Sequence, residues 1–497
     1  MSPPPPTEHP TRPDPLEKPV GTQSTVDIIS PNNVLANAML RTVDMIRPRL
    51  QATRPERVAF CVGTQINGAP HLGTSLVQTA AFLLAKAAKR TFNVDAIVRF
   101  GALDNAPYDI RLDPETHHAY QQTYHHALGP AGIEELVEKY YRGFFDSLAD
   151  ATGVDYETET YTSQQAAPGF RYEFLATLGH LESIRWPLAP SHGQVHLRFP
   201  CAHCGWAEKR AERTRLVAAG SGGAKFAAVC TDHGDYEVTI TPDSGPYLDL
   251  ATLYRNLVKE RVAARDAVTL SVMVKGGDWA FGCQLVDEAF TQLPGLVPPP
   301  RIFTPMVLTD TGAKLSKSLI RKGAMPPPTG ARPWMLDVTA WEGDVDDYVD
   351  ALVWLVGRML SDPKHFYRSY TTFELDRLMT ARPPATETIR AREMNLYRRY
   401  FDLVADGSKT IEVRVRYPNL RTLAAGDHIK FVCGRDECLT RVKRVTAYDS
   451  FDAMLDGEGP AKVNPTSPRD QQLANIRRIY GPEKEALGVL AIEIERV

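Results

Sequence analysis

Two short runs carry side chains able to manage phosphate chemistry. Pro70-His71-Leu72-Gly73-Thr74 offers an imidazole, a glycine and a hydroxyl; some 240 residues later, Lys314-Leu315-Ser316-Lys317-Ser318 offers two ammonium groups and two hydroxyls just after Gly312. Donors and cations of this kind stabilise charge that grows on phosphate oxygens during group transfer. His71 can donate from a ring nitrogen, Gly73 lets a ligand approach the backbone, and Gly312 with Ser316 and Ser318 suits a mobile turn that closes around phosphates. A second chemistry is written in Cys201-Ala-His-Cys204 and Cys230-Thr-Asp-His233, a C-x2-C and a C-x2-H pair about 25 residues apart. That spacing fits a zinc ribbon, in which three thiolates and one imidazole close a structural tetrahedron around Zn2+. Gly205 and Gly234 supply the sharp turns after each knuckle, and His203 is a bystander between the first two cysteines.

These groups need a frame. Val58–Val62 is an apolar run consistent with a buried strand, residues 63–70 are rich in turn formers, and Thr74–Arg90 predicts a helix with His71 at its entrance. Unpaired amides and the helix dipole favour phosphate at that point. Asp95–Phe100 predicts the next strand, completing a βαβ unit of a parallel, nucleotide-binding sheet. A third apolar run, Val268–Val274, ends in Gly276-Gly277-Asp278-Trp279, and Ile302–Leu308 predicts a strand before the lysine-rich loop. The expected fold class is α/β: a Rossmann-like parallel-sheet domain over 27–330 with a zinc-ribbon insertion at about 195–240, a helical connector over 331–388 and a small C-terminal β-barrel over 389–497. The connector contains an amphipathic helix, Asp347–Leu360, whose apolar stripe reads as a packing face.

The paired motifs resemble the "HIGH" and "KMSKS" signatures of class I aminoacyl-tRNA synthetases. The zinc-bearing insert, the proline before His71 and the lack of a second histidine in that motif are most similar to the class I lysyl type, over roughly residues 30–330. The resemblance implies activation of an amino acid, lysine or an analogue, by ATP with Mg2+ through an aminoacyl adenylate, and transfer to tRNA. It makes His71, Lys314 and Lys317 catalytic and assigns ATP to Gly73, Thr74, Gly277, Asp278, Ser316 and Ser318, with Asp278 on the ribose. Asp104, Tyr108 and Asp109, after the second strand, are the implied amino-acid contacts, with Asn105 beside them and Asp249 a further candidate. The chain departs from the family where Thr74 replaces a histidine or asparagine, and where only about 70 residues separate the lysine-rich loop from the next domain. The shortened segment opens an alternative: a tRNA-independent ligase passing the acyl group to a small amine or nucleoside. A non-catalytic RNA- or nucleotide-binding regulator is the third reading.

From about Arg392 the character changes. Gly407-Ser-Lys409-Thr-Ile-Glu412-Val-Arg414 and Gly426-Asp427-His-Ile-Lys-Phe431 resemble the ASCH domain, a PUA-like barrel associated with RNA or modified-nucleoside ligands. The resemblance implies a ligand site at Lys409, Glu412 and Arg414. Strand alternation would place Lys409, Ile411 and Val413 on one face and Thr410, Glu412 and Arg414 on the other.

Composition bounds the rest. The chain has 497 residues, 43% of them hydrophobic, enough for several cores. Its net charge of −3 lacks the basic excess of proteins that hold long nucleic acids, and from Arg392 onward 18 Lys and Arg face 16 Asp and Glu. No apolar run is long enough to span a membrane, so no membrane partner is expected. Residues 1–26 form a proline-rich tail expected to be disordered, without the apolar segment of a signal peptide. Seven cysteines, three of them assigned to metal, fit a reducing cytoplasm.

Overall fold

The computed structural model describes residues 28, 32–220, 222–316, 320, 330–382, 391–417, 420, 423–434 and 436–497. The proline-rich tail 1–26 and two of the expected site residues, Lys317 and Ser318, lie outside them.

The first strand, β1 (Arg57–Gln65), runs into a turn and then into α1 (Leu72–Phe92), with His71 as its N-cap. Small and aliphatic residues recur along α1 at helical spacing, so Leu76, Ala80 and Leu84 face the sheet and are buried. Asn93 ends the helix in the left-handed region at φ 53°, which asparagine tolerates better than most residues. Then follow β2 (Asp95–Leu103), β3 (Tyr156–Thr160), the helix α2 (Thr252–Arg265), β4 (Thr269–Gly276) and β5 (Arg301–Thr304). The five strands form one parallel sheet in the order β5-β4-β1-β2-β3. The order reverses between β1 and β4, the place where a doubly wound sheet opens a crevice beyond the carboxyl ends of its strands.

The two faces of this sheet differ. Val58, Phe60, Val62, Val98, Phe100, Val272, Val274 and Ile302 share one apolar core with α1. Pleating sends the alternate positions to the other face, where Cys61, Gly63, Arg99, Gly101, Glu157, Glu159, Ser271 and Lys275 line a cleft below α2.

The long insertion between β3 and α2 holds three short helices and an antiparallel sheet of Arg215–Gly220, Gly223–Cys230 and Gly234–Ile240. Its own apolar core includes Phe174, Phe199, Phe226 and Tyr254. The segment expected to be a connector is helical, and its main helix, α3 (Val345–Leu360), buries Tyr348, Val349, Leu352, Leu355, Val356 and Met359 in the same core as α1. Asp344 caps α3, accepting a hydrogen bond from the Asp347 amide. Val307–Leu308 also pairs with Tyr370–Thr371, tying the end of this segment back to the strand before the lysine-rich loop.

The C-terminal part is a curled, mixed five-stranded sheet. Its strands are β6 (Ala391–Asn395), β7 (Ile411–Val415), β8 (His428–Cys433), β9 (Asp436–Tyr448) and β10 (Val489–Arg496), in the order β6-β8-β9-β10-β7. One face covers Phe401, Ile429 and Phe431; the other covers Phe451, Met454 and Val489. This domain rests on the far end of α1: Glu393 of β6 pairs with Lys86 at 3.4 Å and Arg90 at 2.8 Å, and Arg392 pairs with Asp150. Gly153 fits here because a Cβ would collide with the Glu393 carbonyl, only 2.4 Å away. Among the described residues no helix is long and apolar enough to cross a membrane.

Candidate functional site

A cleft of about 1820 Å3 opens at the β1/β4 reversal and continues along the polar face of the sheet. His71, Gly73, Thr74, Asp278, Lys314 and Ser316 all line it, so the two distant motifs do converge on one space.

At its mouth, the α1 entrance presents the first amides of the helix, Leu72 and Gly73, while the Thr74 amide donates to the His71 carbonyl at 2.9 Å. The His71 ring folds back over the first turn: a Cβ on Gly73 would lie 2.9 Å from His71 Cε1 and 3.1 Å from Nδ1. Gly73 therefore makes room for the imidazole itself. Thr74 Oγ1 lies 3.5 Å from His71 Nε2, so the hydroxyl neighbours that ring and sits at the same mouth. Across the cleft, β4 turns sharply after Lys275. Gly277 packs against β5, where a Cβ would lie 3.0 Å from the Thr304 carbonyl oxygen and from Met306 Cγ. Lys314 reaches this turn and pairs with Asp278. Its loop is a short hairpin in which Thr309 donates to the Ala313 carbonyl at 2.7 Å, Gly312 adopts φ 80°, and buried Leu315 anchors the far side.

The amino-acid contacts need correction. Asp104 does not line the cleft; it is buried beneath the insertion and accepts from the Thr162 amide at 3.1 Å and from the Thr162 hydroxyl. Burial holds its carboxyl above the usual range despite those bonds. Asp109 is exposed on the hairpin Pro107–Leu112 and accepts from the adjoining Ile110 amide at 2.8 Å, and it too is absent from the lining; Tyr108 does line the cleft. Asp249 is fully buried and held by Arg198 at 2.7 Å, Gln121 at 2.9 Å and Asn105 at 3.2 Å, a structural node. The charged groups that do reach the cleft went unselected in the sequence: Arg99 with Glu157 at 3.3 Å, Glu159 with Gln164 at 2.9 Å, Lys275 with Glu260 at 3.1 Å, and Arg255 and Lys259 on α2. Their signal is a charge at alternate positions of strands that a parallel sheet would otherwise keep apolar on both faces.

The four metal candidates are assembled. Their ligand atoms all lie within 4.8 Å of one another. Cys204 Sγ and Cys230 Sγ are 3.5 Å apart, and His233 Nδ1 is 3.6 Å from both Cys201 Sγ and Cys230 Sγ. A tetrahedral Zn2+ with its usual bond lengths has S–S edges of about 3.8 Å and S–N edges of about 3.6 Å, so the donor set fits that ion. Gly205, at φ 73°, presses on His126, and Gln122 donates to the Cys204 carbonyl at 3.0 Å, which joins the knuckle to the strand Ala119–Thr123 at the cleft's rim. His203 stacks on His233 with ring centroids 5.0 Å apart and stays outside the ligand set.

In the C-terminal domain, Lys409, Glu412 and Arg414 line a pocket of about 110 Å3 with Tyr397, Tyr400, Tyr480, Asn464 and Gln472. Lys409 precedes the strand, so strict alternation fails at that position. Its Nζ turns to Glu412 at 3.3 Å and donates to the Val463 carbonyl at 3.0 Å, while Arg414 meets Glu412 at 2.9 Å. Burial pushes the Lys409 ammonium below its usual range.

Residues 394–497 match the ASCH domain family. A solved structure of protein PF0455 from Pyrococcus furiosus is 36% identical, covering 21% of this chain and 96% of its own, with a TM-score of 0.19. The hypothetical protein PH0355 is also 36% identical over 97% of its length and 21% of this chain, with a TM-score of 0.20. Glutamate-tRNA synthetase from Elizabethkingia anophelis matches at 14% identity over 63% of this chain and 68% of its own, with a TM-score of 0.29. Mycobacterium tuberculosis methionyl-tRNA synthetase, solved with methionyl-adenylate, matches at 12% identity over 53% and 59%, with a TM-score of 0.28. No curated protein sequence matches the chain. The C-terminal residues 394–497 belong to the ASCH domain family.

Proposed function

We propose that the chain is a ligase that activates an amino acid with ATP. The observation that carries this reading is the meeting of His71, Gly276 and Asp278 of the turn after β4, and Lys314 around one cleft at the strand-order reversal. In the first step a carboxylate oxygen of the amino acid bonds to the α-phosphorus, the bond from that phosphorus to the bridging oxygen breaks, and pyrophosphate leaves. His71 and the first amides of α1 stand where the phosphate charge develops, and Lys314 meets the departing pyrophosphate. Lys317 and Ser318, outside the described residues, are assigned to the same loop. The Asp278 carboxylate faces the ribose and exchanges its ion pair with Lys314 for ribose hydroxyls when the nucleotide enters. Mg2+ carried by the triphosphate would neutralise part of its charge. In the second step an acceptor oxygen or nitrogen attacks the acyl carbonyl and AMP leaves.

The acceptor is the acceptor end of a tRNA, by the synthetase resemblance; a small amine or nucleoside is the second reading, which the net charge of −3 favours. Lysine, the amino acid the resemblance implies, loses the support of Asp104 and Asp109, which stay out of the cleft. Cys201, Cys204, Cys230 and His233 would hold a structural Zn2+ that folds the insertion and stiffens the rim of the cleft. The ASCH pocket would take RNA or a nucleoside on Lys409, Glu412 and Arg414. A cytoplasmic setting suits three thiols committed to a metal.

The test is exchange of labelled pyrophosphate into ATP that depends on an added amino acid. His71→Ala and Lys314→Ala should each lower it by about 100- to 1,000-fold. The Lys314–Asp278 pair is largely solvent-exposed, so its loss should change unfolding free energy by only about 0–1 kcal/mol. Absence of exchange with every amino acid would remove the reading. Acid-precipitable label on total tRNA then separates the tRNA acceptor from a small one.

A further inference from the structure

Among the described residues, two cations of the polar groove beneath α2, Arg255 and Lys259, form no ion pair. Arg99 is matched by Glu157 and Lys275 by Glu260, while Arg255 donates to Asn105 Oδ1 at 2.8 Å. Lys259 has neither a hydrogen bond nor an ion pair among the described residues. The carboxylate that acts on it is Glu159, which accepts from Gln164. Burial, together with the charges of Arg255 and Lys275, pushes its pKa down to about 8. The floor under its ammonium is bare: Gly63 and Gly101 are register partners on β1 and β2, and a Cβ at Gly101 would come within 3.6 Å of Lys259 Nζ. An ammonium, a glycine floor and a surplus of neighbouring positive charge together form a receptor for an anion. An uncompensated charge in such a place costs free energy until a ligand supplies its partner.

Resting on amino-acid activation as the reaction, we infer that Lys259 receives an anionic side-chain group of the activated amino acid, so that the substrate is an acidic amino acid rather than lysine. The α-carboxylate is not the group in question. It must keep its charge to attack phosphorus, and the donors for that step stand on α1 and the 276–278 turn. Lys259 lies instead on the opposite face of the sheet from α1, over β2. With Glu159 nearby, the groove also offers a carboxylate for the substrate's ammonium group.

The experiment is pyrophosphate exchange with aspartate, glutamate, lysine and neutral amino acids on the full chain, paired with calorimetric binding of the same amino acids. An acidic amino acid should be the best substrate. Lys259→Met, which keeps the apolar stem, should raise its KM and Kd by about 10- to 100-fold while leaving the KM for ATP unchanged. Lys259→Glu should abolish its binding. Lysine or a neutral amino acid as best substrate, or an unchanged Kd in Lys259→Met, would overturn the inference and leave amino-acid activation standing. No exchange and no binding with any amino acid would overturn both.

Discussion

Replacing Gly73 with alanine separates a catalytic reading of the His71 ring from a structural one. Gly73 is the second residue of α1, and alanine is the better helix former by about 1 kcal/mol in a helix interior, less in a first turn. The backbone of α1 therefore accepts the change, and the midpoint of thermal unfolding should hold steady or rise slightly. The side chain of His71 does not accept it. A new methyl 2.9 Å from Cε1 and 3.1 Å from Nδ1 stands well inside the 3.5–4.0 Å of carbon contact, so the ring must retreat by about 0.6–1 Å or leave its rotamer. A displacement of about 1 Å in a positioned group can cost about 100-fold in rate, equal to about 2.7 kcal/mol of transition-state stabilisation. The assay is amino-acid-dependent pyrophosphate exchange beside a thermal melt of the same preparation. The expected pattern is a large fall in kcat/KM with an unchanged melt. Full activity in the alanine variant would show that the imidazole's position is irrelevant to the reaction. A collapsed melt would instead make Gly73 a folding requirement.

Three further outcomes are expected. Cys201→Ser combined with Cys204→Ser should release one equivalent of zinc, read by elemental analysis, and loosen the 201–233 region in hydrogen exchange; an unaltered metal content would dismiss the site. Glu412→Gln leaves Lys409 and Arg414 facing each other in a buried setting without their anion, and should cost the C-terminal domain about 3–5 kcal/mol in urea unfolding; a loss under 1 kcal/mol would mean that the triad is open to water. The Lys259 pKa of about 8 reflects burial and the charges of Arg255 and Lys275, opposed by Glu159 and Cys61. An anionic substrate binds the protonated form, so its KM should be lowest below pH 8 and rise above it, and Lys259→Met should flatten that rise.

Much of the frame was legible because local signals agreed with the tertiary ones. The Val58–Val62 run, the helix after His71 and the strand from Asp95 all appear where period and turn residues placed them, each extended by a few residues at its ends. The knuckle cysteines were legible because ligand spacing encodes geometry directly. The residues expected to contact an amino acid were not. Asp104 and Asp109 follow a strand's carboxyl end, as pocket residues do, yet the insertion folds down over Asp104 through Thr162, and the hairpin carries Asp109 outward. Which residues a long insertion covers depends on its tertiary packing, which has no local signature. Lys409 was misplaced for a related reason: the strand begins at Ile411, two residues later than the alternation assumed.

The position of the ASCH domain constrains how the two cavities can cooperate. His71 begins α1, and Lys86 and Arg90 near its other end hold Glu393 of β6, the strand that also carries Asn395 of the ASCH pocket's rim. A helix of 21 residues is about 32 Å long, so the two sites stand near opposite ends of a rigid rod. On the proposed function, an acyl group formed beside His71 would not reach Lys409, and adenylate formation would proceed without the ASCH pocket. A small nucleoside could occupy only one cavity at a time. A ligand that engages both must itself extend about 30 Å, as a folded RNA does and a small amine does not. Competition between a free nucleoside and RNA at the ASCH pocket should therefore alter transfer to RNA while leaving pyrophosphate exchange untouched. A parallel loss of both activities would mean that the two ends of α1 are coupled through the core that α1 shares with α3.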